Sequence, residues 1–370
     1  MACNFLHLAV AGVRGMSPYQ PGKPIDELAR EQGLKAEDIV KLASNENPLG
    51  PSPVAVKAMV ESLSELARYP DGGGFLLKDA LSKKLGVNPE QLTLGNGSND
   101  VLVLLAEAFL NPEASAVFSE YAFVVYPLAV KATGAEAIVV PSVNYGHDLD
   151  AMASAIKDNT RLVFLANPNN PTGTAFSQQD LKGFLDKVSE NVVVVLDEAY
   201  FEYAAGGELP DGVELLDRYP NLVVTRTFSK AYGLAGARVG YAVSNPEIAD
   251  ILNRLRQPFN LNLPAQFGAL AALNDDDYLT ESITLNQQGM VQLEKGFAEL
   301  GLDWIPSSGN FITVNLAQEA MPIYQALLSH GVIVRPVGNY GLPQHLRVSI
   351  GLPEENRRCL AALSQILGQK

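Results

Sequence analysis

Short runs of consecutive apolar residues recur through the middle of the chain. They are Ala116–Phe118, Ala137–Val140, Leu162–Ala166, Val192–Leu196, Leu222–Thr225 and Val239–Val243. Each is too short for a buried helix, and none alternates with polar residues. That pattern predicts strands covered on both faces, as in a parallel sheet. Around them, Pro53–Leu66, Phe75–Leu85 and Asn99–Leu110 carry apolar residues three and four apart and read as helices. Strands alternating with helices predict an α/β fold with a mostly parallel sheet flanked by helices. The pattern changes after Asn260. A long helical stretch runs from Ala265 to about Leu300, short strands follow at Phe311–Val314, Val332–Val334 and Leu346–Ser349, and a helix starts at Glu354. This predicts a smaller α+β C-terminal domain. The expected organisation is an N-terminal arm and linker over 1–44, a large ligand-binding domain over 45–260 and a small domain over 261–370. The helical pattern Ile25–Gln32 in the arm has too few apolar residues for a core of its own and should pack elsewhere.

Charge narrows the partners. The 370 residues include 27 basic and 41 acidic side chains, a net charge of −14. That balance argues against nucleic acid and anionic membranes, which need clustered Lys and Arg. No apolar run reaches the roughly 18 residues of a membrane span. Leu8–Val13 follows no basic residue and is short for a leader core, so the cytoplasm is the expected compartment. Cys3 and Cys359 lie at opposite ends, and the four histidines are scattered. No metal-ligand spacing occurs, and no metal is expected.

Four polar motifs carry candidate chemistry. The stretch Thr225–Tyr241 places Thr227, Ser229 and Lys230 after a strand, and Arg238 before the next. Hydroxyls and a guanidinium around one lysine suit a phosphate beside a reactive amine, and lysines form Schiff bases with carbonyl compounds. Asp197 ends a buried strand, where a carboxylate needs a cationic partner, and Tyr200 follows three residues later. Asn170 lies in an irregular loop set by two prolines and Gly173. Gly97, Ser98 and Asn99 open a helix, whose free N–H groups form an anion site. Taken singly, Lys230 could be a solvated loop lysine, Asp197 and Ser98 helix caps, and the Asn170 loop a bare turn. Neither G-x-G-x-x-G nor G-x-x-x-x-G-K-[ST] occurs, which disfavours dinucleotide oxidoreductases and P-loop enzymes. Together the motifs describe a ligand with a phosphate, a carbonyl carbon, a ring cation and a ring oxygen. Pyridoxal 5′-phosphate has all four.

In this order, Asn170-Pro-Thr-Gly173, Asp197-x-x-Tyr200 and Ser229-Lys-x-x-Gly-x-x-Gly-x-Arg-x-Gly240 resemble the fold-type I pyridoxal-phosphate aminotransferases over nearly the whole chain. The resemblance implies that Lys230 binds the cofactor's aldehyde carbon and later moves the proton of the substrate. It implies that Asp197 keeps the pyridine nitrogen protonated, and that Asn170 and Tyr200 bond the ring oxygen. Tyr121 would stack on the ring, although Ser119 stands where the family often has proline. Asn99 stands where an acidic residue is frequent. Tyr69 would reach the phosphate of a partner subunit, which implies a C2 homodimer. Arg347 would hold the anionic end of the substrate.

More narrowly, Ser17-Pro-Tyr-Gln20, Leu42–Gly50, Arg68-Tyr-Pro-Asp71 and Val334-Arg-Pro336 resemble the branch acting on histidinol phosphate. Glutamate and 2-oxoglutarate form its other substrate pair. Arg335, Tyr19 and Asn45 become further candidates for substrate binding. An aromatic amino-acid aminotransferase, a threonine-phosphate decarboxylase and a non-catalytic cofactor-binding regulator are the competing readings. The regulator would carry a basic DNA-binding head, and no such segment precedes Ser44.

Overall fold

A computed structural model describes residues 4–18, 21–204 and 209–368. In chain order the strands are β1 (Val40–Lys41), β2 (Leu92–Gly95), β3 (Ser115–Ser119), β4 (Glu136–Val140), β5 (Thr160–Ala166), β6 (Val193–Asp197) and β7 (Leu222–Thr227). There follow β8 (Gly240–Ser244), β9 (Asp303–Ile305), β10 (Phe311–Asn315), β11 (Val332–Ile333), β12 (Arg335–Pro336) and β13 (His345–Ser349).

The apolar runs build one seven-stranded sheet of order β2-β8-β7-β6-β5-β3-β4. Neighbours from β7 to β4 are parallel, and β8 is antiparallel to both β7 and β2. Side chains alternate between two cores, as the period of a strand requires. Val163, Leu165, Val194 and Leu196 enter one core, and Leu162, Phe164, Val193 and Val195 the other. Both faces are therefore covered at β5 and β6, which is why they read as unbroken apolar runs; the edge strand β4 is the exception, with Val139 exposed. Strand β2 was not predicted. Its four residues include a threonine and lead straight into the glycine loop, so the signal is short.

The helical stretch after residue 260 is two helices, Leu263–Leu273 and Asp276–Glu299, not one. Asp275 caps the second by accepting from the Tyr278 amide at 3.2 Å. The first packs on Pro53–Ser62 and adds Ala265, Ala269 and Ala272 to the core of the large sheet. The C-terminal part forms an antiparallel sheet of order β12-β13-β10-β9. The arm helix Ile25–Gln32 buries Leu28 against Ile39, Leu328 and Ile333, and β1 pairs with β11. The segment Leu42–Asn47 then crosses from the small sheet to the large one. It passes over the carboxyl ends of β6 and β7, where ligands of such sheets bind.

Candidate active site

Lys230 follows β7 and is half-buried. Its Nζ donates to the Ser44 carbonyl at 3.2 Å and lies 5.7 Å from the Tyr200 ring centroid. Burial, aided by Arg347 and Arg238 and opposed by Glu46 and Asp197, lowers its pKa to about 8. A lysine so depressed carries a usable share of free amine near neutral pH.

Asp197 is the last residue of β6 and pairs in register with Thr225. Its carboxylate accepts from the Tyr126 hydroxyl at 2.7 Å and from Thr225 Oγ1 at 3.1 Å. Burial raises its pKa, while those two hydrogen bonds act in the opposite direction. Tyr126 is fully buried and stacks on Phe164 at 4.8 Å. Sequence reasoning missed it, because an aromatic in an apolar helix reads as core.

The helix Ser98–Phe109 aims its N-terminus at the same cavity, opposite Thr227, Ser229 and Arg238. Arg238 Nη1 donates to Ala235 O at 3.1 Å, and the Ser229 amide donates to Thr227 Oγ1 at 3.1 Å. Gly97 has φ +85°, and a Cβ there would overlap the Arg238 guanidinium. A Cβ at Gly240 would overlap the Ser98 amide. Only glycines let the helix start, β8 and Arg238 meet this closely. Helix amides, two hydroxyls and one guanidinium make a cradle for a phosphate.

The opposite wall comes from the small sheet. Arg347 on β13 donates from Nη1 to Asn170 Oδ1 at 2.5 Å and from Nη2 to Ala43 O at 2.7 Å. Arg335 on β12 pairs in register with Arg347, and both line the cavity. Tyr200 accepts at its hydroxyl from Asn45 Nδ2 at 2.9 Å, and burial raises its pKa to about 12. The enclosed space is about 180 Å³.

Lys230, Asp197, Tyr200, Asn170, Ser98, Asn99, Thr227, Ser229, Arg238, Arg335, Arg347 and Asn45 thus all line one cavity. Gly97 stands just behind it. Phe123 lines the cavity, and Tyr121, expected to stack on the ring, does not. The carbonyl of Tyr121 accepts from Asn169 Nδ2 at 2.9 Å, and its ring lies tilted against Tyr145, 6.0 Å between centroids. Tyr69 is 82% exposed, stacked on Phe259, and does not line the cavity of its own chain. Tyr19 lies outside the described residues.

The chain belongs to the aminotransferase class I and II family, whose model matches residues 37–363. It is 62% identical, over all of both chains, to histidinol-phosphate aminotransferase 2 of Pseudomonas fluorescens strain Pf0-1. It is 61% identical to histidinol-phosphate aminotransferase 2 of Pseudomonas aeruginosa, over 98% of this chain and 99% of that one. Its fold superposes on the histidinol-phosphate aminotransferase of Sinorhizobium meliloti in complex with pyridoxal 5′-phosphate with a TM-score of 0.89. That match has 30% identity and covers 97% of each chain. The chain is an aminotransferase, and its cofactor is pyridoxal 5′-phosphate. The cavity fits that group: the cradle suits its phosphate, Asp197 its ring nitrogen and Lys230 its aldehyde carbon.

Proposed function

We propose that this chain transfers an amino group between glutamate and imidazole-acetol phosphate, giving 2-oxoglutarate and histidinol phosphate in histidine biosynthesis. The observation that carries the reading is the pair Arg347 and Arg335, side by side on β13 and β12 and lining the cavity that also holds Lys230. Histidinol phosphate has no carboxylate on its amine-bearing carbon. Its phosphate hangs one methylene away, where the α-carboxylate of glutamate would also lie. One guanidinium fork can therefore serve both substrates, and the second suits the dianion.

Each residue has a defined task. When bound, pyridoxal phosphate supplies the electron sink that loosens a proton on the substrate carbon. Lys230 Nζ takes up and returns that proton. Asp197 holds the positive charge of the ring nitrogen, with its oxygens aimed by Tyr126 and Thr225. Asn170 gives its carbonyl to Arg347, which leaves its amide N–H groups for the ring oxygen beside Tyr200. Phe123 covers one ring face. Ser98, Asn99, Thr227, Ser229 and Arg238 hold the phosphate and keep the ring in register with Lys230.

We further propose a C2 homodimer in which Tyr69 reaches the phosphate of the partner's cofactor. Val60, Leu63, Leu66, Phe75 and Leu76 are exposed in the single chain, an apolar patch that supports an interface. The proposed division at 1–44, 45–260 and 261–370 takes one shift: helix Leu263–Leu273 shares the core of the large sheet, so the small domain is proposed to begin after it. Among the described residues no helix is long and apolar enough to cross a membrane. A cytoplasmic location is proposed from the biosynthetic reaction assigned above, which the curated relatives share by name.

Initial rates with 2-oxoglutarate as acceptor test the reading. Histidinol phosphate should give a far higher kcat/KM than phenylalanine. Equal values would assign the chain to aromatic amino acids instead. Release of carbon dioxide from threonine phosphate would make it a decarboxylase.

A further inference from the structure

Asn45 is buried and has φ +53°, a left-handed conformation that asparagine tolerates better than most residues. The orientation of its amide is fixed by a reciprocal pair. The Asn45 backbone amide donates to Ser349 Oγ at 2.8 Å, and that hydroxyl donates to Asn45 Oδ1 at 3.0 Å. The Asn45 carbonyl in turn accepts from Asn310 Nδ2 at 3.0 Å. With Oδ1 committed to Ser349, Nδ2 must face Tyr200 and donate to its oxygen. A phenol has one proton. An oxygen that accepts on one side directs that proton to the other, and the other side of Tyr200 is the cavity.

We infer that Asn45, clamped by Ser349, is a positioning residue that aims the Tyr200 proton at the oxygen of the bound ligand. This reassigns Asn45 from contact with substrate to control of Tyr200. The inference rests on the proposed role of Tyr200 toward the cofactor's ring oxygen. Ser349 lies two residues from Arg347 on the same face of β13, so anion binding and phenol orientation share one strand.

The test uses holoenzyme without substrate, followed by absorbance across pH. A hydrogen bond to the ring oxygen stabilises its anionic form, so losing it raises the pH at which the cofactor band titrates. Tyr200→Phe should raise that midpoint. Asn45→Gly, which keeps the left-handed backbone, should raise it by less, and should add nothing in the Tyr200→Phe background. Its kcat should fall about tenfold with KM for histidinol phosphate little changed, since the group lost acts on the reacting ring. Ser349→Ala, which frees the amide to turn, should shift the midpoint the same way and guards against misfolding of the first variant. A wild-type midpoint in both Asn45→Gly and Ser349→Ala would overturn the inference. So would an equal Asn45→Gly shift with and without the phenol. A Tyr200→Phe midpoint that does not move would overturn the underlying role of Tyr200 as well.

Discussion

Tyr126 donates a 2.7 Å hydrogen bond to Asp197 from a helix that no catalytic motif includes. Tyr126 holds Oδ2 while Thr225 holds Oδ1, so the carboxylate is fixed in its rotation. Hydrogen bonds to charged groups are worth about 1.5–3 kcal/mol. Tyr126→Phe should therefore lower kcat/KM by roughly tenfold to a hundredfold. Asp197→Asn should lower it further, because the charge itself is lost. Steady-state rates on both variants check the order.

The depressed Lys230 makes a prediction for the apoprotein. Capture of pyridoxal phosphate needs the free amine, so its rate should rise with pH and level off above about 8. An ordinary lysine would keep rising toward pH 10.5. Stopped-flow absorbance during reconstitution reads this directly. Lys230→Arg should show no such capture at any pH.

Arg347 faces both substrates in this account. Arg347→Lys keeps the charge and loses the planar fork. KM for glutamate and for histidinol phosphate should both rise, by about tenfold or more. A rise for one substrate alone would separate the two anion sites.

Behind the cavity, Glu198 and Arg226 form a buried ion pair that Asp211 joins from the rim. Glu202 lies in the same region, and among the described residues its Oε2 has no hydrogen-bond partner. Burial pushes the Glu202 carboxyl up to about 7. The folded chain then binds a proton that the unfolded chain, near 4.5, has lost. Stability should fall as pH rises from 4.5 to 7 and level off above. Glu202→Gln should flatten that slope and stabilise the protein at pH 8, as urea unfolding of the holoenzyme at several pH values would report.

Much of this was legible in the sequence because the physics there is local. The unbroken Val/Leu runs of β5, β6 and β7 follow from burial on both faces. Asp197, Lys230 and Arg238 stand at or near strand ends in an order that matches a phosphate-bearing ring compound and resembles the family's motifs. What failed to show depends on distant contacts. Tyr126 acts on Asp197 from 71 positions away, and Asn45 acts on Tyr200 from 155. Phe123 lines the cavity, where the sequence pattern pointed to Tyr121, and no local pattern records the bond from Asn169 that fixes this turn. The break between the two helices after residue 260 rests on the Asp275 cap and on packing against Pro53–Ser62.

The most direct test is the absorbance spectrum of the purified protein with pyridoxal phosphate, titrated with histidinol phosphate beside a Lys230→Ala control. The account predicts a cofactor band bound through Lys230 that converts to the amine form of the cofactor at low histidinol phosphate, and no such band in the control. A wild-type band that histidinol phosphate leaves unchanged, or a control identical to wild type, would contradict it.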